Sequence, residues 1–238
     1  IVFIIGASGI GKSTILETLG LMNKTNVQNT NTKFTFTPSN SSIDFSKIWS
    51  KSEKFLSEMR SKHFSFIFQD STLFSHLSAY ENVALALLLN NKDQINYNLD
   101  DAHQSTSKIF SEILEDFSTI ENDKGINLMS GGQRQRVAFT RAIATDFSVL
   151  FGDEPTGNLD PISAKKCMDF LKSKMSNDRT AVIVSHDVSL ALEYADRIIV
   201  IHKNGERPNF YGKIDSSSIF SRELNNFPSK DKLMDLFK

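Results

Sequence analysis

The chain opens on an unbroken apolar run, Ile1 to Ile5, stopped by Gly6, the pattern of a strand buried on both faces. Ile15, Leu16 and Leu19 then share one face of a helix expected over residues 12–22. A polar Asn/Thr stretch at 23–31 reads as a surface loop, and Phe34 and Phe36, alternating with Thr35 and Thr37 before Pro38, read as a short strand and a turn. Further on, 64–68 is an expected strand and 79–89 and 101–117 are helices, with another helix from about Ser130 to Ala144. Three more buried strands, 149–152, 181–185 and 198–202, are separated by helices over 161–175 and 188–195. Residues 214–238 carry scattered apolar positions that suggest one or two small helices. Strands and helices alternate at both ends of the chain around a helical block. The expectation is an α/β fold with a mainly parallel sheet covered by helices and an inserted helical subdomain.

Composition narrows the function. At 238 residues and 39% apolar, the chain can bury a sizeable core, which excludes a disordered tail protein. The 27 Lys and Arg are balanced by 28 Asp and Glu, so no basic surface suits a nucleic acid, and no nucleic-acid partner is expected. Cys167 is the single cysteine, unable to form an internal disulfide or a zinc cluster, and reads as a small apolar filler in a reducing compartment. The longest apolar runs fall well short of the about 20 residues of a membrane span, and no signal-type segment begins the chain. A cytoplasmic location is the expectation.

Chemistry enters where the first strand ends. Gly6, Ala7, Ser8, Gly9, Ile10, Gly11, Lys12 and Ser13 match G-x-x-x-x-G-K-[ST] between an expected strand and an expected helix. Glycines at those positions let successive N–H groups point into one concavity, and the helix that follows adds its positive end, so phosphates can be held by main chain. Lys12 adds a charge for the β and γ phosphates, and Ser13 a hydroxyl for Mg²⁺. A second apolar strand ends in Asp153 and Glu154; the first acid suits the metal shell and the second can take a proton from attacking water. A kinase or a GTPase would begin the same way.

Ser130, Gly131, Gly132 and Gln133 separate these possibilities. Two adjacent glycines at the head of an amphipathic helix raise the entropy cost of its first turn, which makes sense if that turn meets a second phosphate. With this segment the chain resembles the nucleotide-binding subunit of an ATP-binding cassette (ABC) transporter, Met129 standing where the family's signature usually begins with Leu. Gln69 matches the family's glutamine loop, Asn158, Leu159 and Asp160 its D-loop, and His186 its switch histidine. Residues 153–160, together with Glu81, Asn82 and Val83, are similar to the branch of lipoprotein-releasing, macrolide-export and cell-division ATPases.

The resemblance implies a P-loop NTPase core at 1–75 and about 146–213, a helical subdomain at 76–145 and a C-terminal tail at 214–238. It implies ATP bound by Gly6 to Thr14 of one chain and by Ser130 to Gln133 and Asp160 of a second, with Mg²⁺ held by Ser13, Gln69 and Asp153. Glu154 is then the base, His186 a donor to the γ phosphate and Gln69 the residue that couples the site to a membrane partner. The implied partners are an integral membrane (permease) subunit and a second copy of the cassette, which would place the protein on the inner face of the membrane. Leu73, Phe74 and Leu77 are expected to help receive a short helix of that subunit. The same motifs also suit a regulatory ATPase that drives a membrane partner without moving solute. Family members carry two strands ahead of the phosphate loop, with an aromatic side chain that stacks on adenine; five residues precede Gly6, so either the sequence is partial or base stacking is supplied by another group. His63, His76, His103 and His202 have no ligand spacing.

Overall fold

The computed structural model describes residues 1–24, 35–38, 42–45, 47–91, 94, 96–113, 125–205 and 211–236. In chain order its first elements are β1 (Val2–Gly6), α1 (Lys12–Leu19), β2 (Thr35–Phe36), β3 (Ile43–Asp44), α2 (Glu53–His63), β4 (Phe64–Ile67), α3 (Ala79–Asn90) and α4 (Leu99–Ile113). There follow α5 (Gly131–Ala144), β5 (Val149–Asp153), α6 (Pro161–Lys174), β6 (Thr180–Val184), α7 (Val188–Tyr194), β7 (Arg197–Asn204), β8 (Tyr211–Lys213), β9 (Ile219–Ser221) and α8 (Lys230–Asp235). Two compact units emerge, one of Ile1–Phe64, Phe147–Asp153 and Met175–Lys238, the other of Ser65–Asp146 and Glu154–Lys174.

In the first unit β1 lies between β6 and β7, with β5 beyond β6, and all four strands run parallel. A central parallel strand needs apolar side chains on both faces, which is what the opening run provides: Phe3, Ile4 and Ile5 are all buried. The register puts Ile4 beside Val184 and Asp153 beside the same Val184, so the carboxyl ends of β1, β6 and β5 finish level. The outer edge of β7 is antiparallel, pairing with β8 at His202 to Asn204 and with β9 at Arg197 to Ile199.

Besides the short strands β3 and β8, which the sequence did not lead one to expect, three differences have a clear physical reason. The first helix was expected to reach Met22 but stops at Leu19, because Gly20 N donates back to Leu16 O, Leu21 N donates to Thr18 O, and Leu21 turns left-handed at φ 59°. Leu21 tolerates that conformation because its side chain is fully buried and its carbonyl accepts from Arg60 Nη1 at 2.7 Å. The tail is not simply helical: Ile219 to Ser221 joins the sheet as β9, and among the described residues α8 is the one α-helix beyond residue 213. A half-open β7 edge was available to it, and an edge is a tertiary opportunity that no local periodicity reveals. Finally, α2 was not anticipated, since its two buried side chains, Leu56 and Met59, are too few to make a stripe; Ser52 Oγ starts it by accepting the Phe55 N–H at 3.3 Å. Phe34, Phe117 and most of the 23–31 loop lie outside the described residues.

The second unit is mainly helical. Helices α3, α4 and α5 pack on one another, and α6 packs on α4 and α5. Its core contains Val83, Leu87, Phe110, Val137 and Phe139. Among the described residues no helix is long and apolar enough to cross a membrane.

The parallel core sets an energetic scale that can be measured. Leu150, mid-strand in β5, has no exposed surface. Leu150→Ala should lower unfolding free energy by about 2–5 kcal/mol in chemical denaturation, because transfer and cavity terms add. Leu89→Ala, at a side chain 60% exposed, should change it by less than about 0.5 kcal/mol.

Candidate functional site

The turn from β1 into α1 is built as a phosphate cradle. Gly9 and Gly11 hold φ 74° and 98°, conformations that suit glycine, and no atom lies within 4 Å of where their side chains would begin. Gly6 is glycine for another reason: a Cβ there would meet the Ile201 carbonyl at 2.8 Å. Gly11 is also the residue at which α1 starts, with no side chain capping the helix, so the first N–H groups of α1 remain for an anion. Lys12 Nζ reaches back to donate to Gly6 O at 2.9 Å and Ala7 O at 3.0 Å, which holds its charge over the same turn. Ala7, Ser8, Gly9 and Thr14 are exposed, Lys12 and Ser13 partly so, while Ile10 anchors the loop in the core. Ile10 rests on β8, where a Cβ on Gly212 would meet Ile10 O at 2.8 Å.

The level strand ends bring further residues to this edge. Asp153 is the last residue of β5, in the row of Val184 and Ile4. His186 lies two residues beyond Val184 and Gly6 two beyond Ile4, so histidine and phosphate loop leave neighbouring strands at the same height. His186 is exposed, and its neighbour Asp187 starts α7 by accepting from the Ser189 and Leu190 N–H groups. Asp187 N in turn donates to Ser185 Oγ at 3.0 Å, which shapes the turn that presents the histidine.

In the second unit α5 organises the remaining candidates. Ser130 caps it: Ser130 Oγ accepts from Gln133 N at 3.2 Å, and Ser130 N donates to Gln133 Oε1 at 2.8 Å. The serine acts there as acceptor, which leaves its hydroxyl hydrogen for another oxygen. The two glycines behind it do different work. Gly131 is exposed with nothing within 4 Å of a would-be Cβ, whereas on Gly132 a Cβ would lie 3.2 Å from Asn158 O. Gly132 therefore lets α5 close against the segment 158–160, and Gly131 faces open space. Asp160 begins α6, its Oδ1 accepting from Ile162 N and Ser163 N, both at 3.0 Å. Hydrogen bonds from Ser163, and more weakly from Ile162, hold the Asp160 carboxyl below its ordinary range.

Farther along α5, Arg141 Nη1 donates to Thr72 O at 2.6 Å and Nη2 to Thr72 Oγ1 at 3.1 Å, fixing the segment that follows Gln69. Gln69 itself is exposed two residues past β4, and burial of Arg141 pushes its pKa down. Asn82, almost wholly buried in α3, accepts from Phe74 N at 2.8 Å and donates to Phe74 O and Ser78 O, so it pins residues 74–78 with Phe74 55% exposed. Glu154 follows Asp153 in a left-handed conformation, φ 47°, and its carbonyl accepts from Gly157 N at 3.1 Å. The carbonyl of the next residue, Pro155, accepts from Gln135 Nε2 at 2.9 Å. Among the described residues Gln135 Oε1 finds no donor, a cost of about 1–3 kcal/mol in a buried site.

A family model described as ABC transporter matches residues 1–157. The chain belongs to the ABC transporter family. Macrolide export ATP-binding/permease protein MacB of Aggregatibacter actinomycetemcomitans is 33% identical over 243 residues, covering 100% of this chain and 34% of its own length. The protein of the same name from Mannheimia succiniciproducens is 34% identical over 241 residues, with the same shares. This ABC transporter chain thus spans about a third of the length of the curated relatives it matches. Among solved structures, the dimeric post-hydrolysis state of the ATP-binding cassette MJ0796 bound to ADP and Pi aligns with TM-score 0.69 and 31% identity, over 84% of this chain and 80% of that one. The cbiO1 chain from Clostridium perfringens, part of the ABC transporter complex cbiONQ, aligns with TM-score 0.59 and 25% identity, over 84% and 72%. The α/β P-loop fold expected from the strand and helix pattern is the fold of these ABC cassettes.

Sequence reasoning passed over Gln135, Arg141 and Gly212, and used Asn82 only for the likeness to one branch of the family, not for its bonds to residues 74–78. For Gln135 a signal was present: it sits three, four, seven and eight residues before the buried Ala138, Phe139, Ala142 and Ile143, so a polar residue occupies the apolar stripe of α5. Gly212 left no such trace, because the Ile10 carbonyl it accommodates is about two hundred residues away. The different surroundings of the two signature glycines can be separated by thermal melts. Gly131→Ala should leave the midpoint unchanged or slightly raised, since alanine suits a helix better. Gly132→Ala should melt below Gly131→Ala, since Asn158 O has to give by a few tenths of an ångström.

Proposed function

We propose that this chain is the ATP-binding and ATP-hydrolysing part of an ABC-type membrane transport complex. The observation that carries the reading is the Gly6–Ser13 turn, with left-handed Gly9 and Gly11, an uncapped helix start and Lys12 held across it, level with Asp153 at the end of β5. Main-chain N–H groups of that turn and the Lys12 ammonium would hold the β and γ phosphates. Ser13 and Asp153 offer oxygen ligands, the donor type a hard cation prefers. When bound, Mg²⁺ would neutralise charge developing on the phosphate oxygens.

In this reading Glu154 accepts a proton from the water whose oxygen attacks the γ phosphorus, while the bond to the ADP oxygen breaks. His186 donates a hydrogen bond to a γ oxygen, holding charge as it develops. Ser130 and Gly131 of a second copy supply a hydroxyl and an unobstructed N–H to the same phosphate, Gln133 holding Ser130 in its cap and Asp160 shaping the neighbouring turn. Closure of two copies around ATP and reopening after hydrolysis would convert phosphate chemistry into motion. The Asn82-pinned segment with exposed Phe74 is the surface offered to a membrane subunit, which would hold the cassette at the inner face of the membrane. MacB of the two relatives is named a macrolide export ATP-binding/permease protein, and an export role for the complex containing this chain follows that likeness.

Two measurements test the chemistry. Glu154→Gln should retain ATP binding and lose turnover by about 100-fold or more, because the proton acceptor goes while the phosphate cradle stays; rapid steady-state turnover by purified variant would remove Glu154 from the role. The shared site is tested by complementation. Lys12→Ala and Gly131→Asp should each be nearly inactive as homodimers. A mixture should recover roughly a quarter of wild-type rate if pairing is random and sites independent, since one site of each mixed dimer is intact. A Gly131→Asp protein that is folded and fully active would show that the signature turn does not complete a catalytic site.

A further inference from the structure

Glu154 stands in a conformation that its own chemistry disfavours. A non-glycine residue at φ 47° is uncommon, and a residue before proline prefers extended backbone, yet Glu154 precedes Pro155. Such a conformation persists where the surroundings over-determine it. Two ties are local to the turn, Gly157 N to Glu154 O at 3.1 Å and Leu159 N to Thr156 O at 3.0 Å. A third comes from outside it, the Gln135 amide on α5, donating to Pro155 O at 2.9 Å.

Gln135 is an unusual choice for its place. Its side chain is 1% exposed, on the helical stripe otherwise filled by Ala138, Phe139, Ala142 and Ile143. Leucine or methionine would fill a similar volume without burying a polar group. Instead the amide buries both its polar atoms, and among the described residues Oε1 has no partner while Nε2 is committed to Pro155 O. That single bond also fixes which way round the amide sits, since the opposite orientation would set two oxygens against each other. A half-satisfied buried amide is unfavourable for stability, so the donor has a use other than packing.

We infer that Gln135 is a positioning residue for hydrolysis: by holding the Pro155 carbonyl from the signature helix, it maintains the strained backbone that aims the Glu154 carboxylate. The helix whose first turn carries Ser130 and Gly131 thereby also sets the geometry of the proton acceptor. This inference rests on the reading of Glu154 as base.

The test uses the full chain and ATP. Gln135→Leu, checked for folding by circular dichroism and thermal melting, should lose about tenfold or more in kcat with KM for ATP changed by less than about twofold, since the phosphate cradle is untouched. Gln135→Glu supplies a readout that packing would not move. Ionised, its carboxylate repels Pro155 O; protonated, its O–H can donate to it, and burial favours the protonated form. The ratio of Gln135→Glu to wild-type kcat should therefore rise as pH falls from about 8.5 to about 6. Wild-type kcat in folded Gln135→Leu, or a ratio that stays flat with pH, overturns the inference; if Gln135→Leu does not fold, the pH ratio decides. Glu154→Gln measured alongside separates the two claims. Its turnover at the wild-type rate overturns the reading of Glu154, whereas an inactive Glu154→Gln beside an unaffected Gln135→Leu overturns the positioning role alone.

Discussion

The chemistry of this ABC transporter chain depends on parallel strands that end at the same height. Ile4 and Asp153 both register with Val184, so the glycine-rich loop, Asp153 and His186 leave three adjacent strands in one row. Parallel strands all deliver their carboxyl ends to one edge, and there the following helices begin with unsatisfied N–H groups. A one-residue slip of β5 against β6 would carry Asp153 out of that row and turn its neighbours to the opposite face. Such a slip would also exchange the places of Leu150 and Phe151 against the buried Ala181 and Ile183, and close packing of these unequal side chains opposes it.

Precision at the loop itself comes from side chains that are missing. Gly6 and Gly212 permit backbone to approach within distances that any Cβ would obstruct, one against Ile201 and the other against Ile10. Gly9 and Gly11 instead supply left-handed turns that leave main-chain donors facing outward. Close approach on one side of the loop and open space on the other are what allow main chain, rather than a mobile set of side chains, to recognise phosphate.

The second unit solves a related problem with polar groups in place of strand register. Helix α5 reaches Thr72 through Arg141, Pro155 through Gln135 and Asn158 through the bare face of Gly132. A fully desolvated hydrogen bond is directional in a way that apolar packing is not, so these ties fix orientation as well as proximity. They join, in one rigid element, the neighbours of Gln69, Glu154 and Asp160, residues far apart in the chain. Asn82 does the same for residues 74–78, replacing what would otherwise be an unsupported apolar loop.

Local sequence determined the elements whose physics is local. The continuous apolar runs specified β1, β5 and β6, the G-x-x-x-x-G-K-[ST] spacing specified a loop that only glycine dihedrals allow, and Ser130 with Gln133 specified a capped helix. Long-range contact decided the rest. Leu21 ends α1 because a buried side chain and Arg60 hold it, β9 exists because β7 had an edge to fill, and Gly212 is small because Ile10 lies beneath it. Gln135 stands between the two. Its place on an apolar stripe was legible as an anomaly, but its partner was not, because the identity of a buried hydrogen-bond acceptor is set by which backbone the fold brings within about 3 Å, and a sequence pattern carries no such distance.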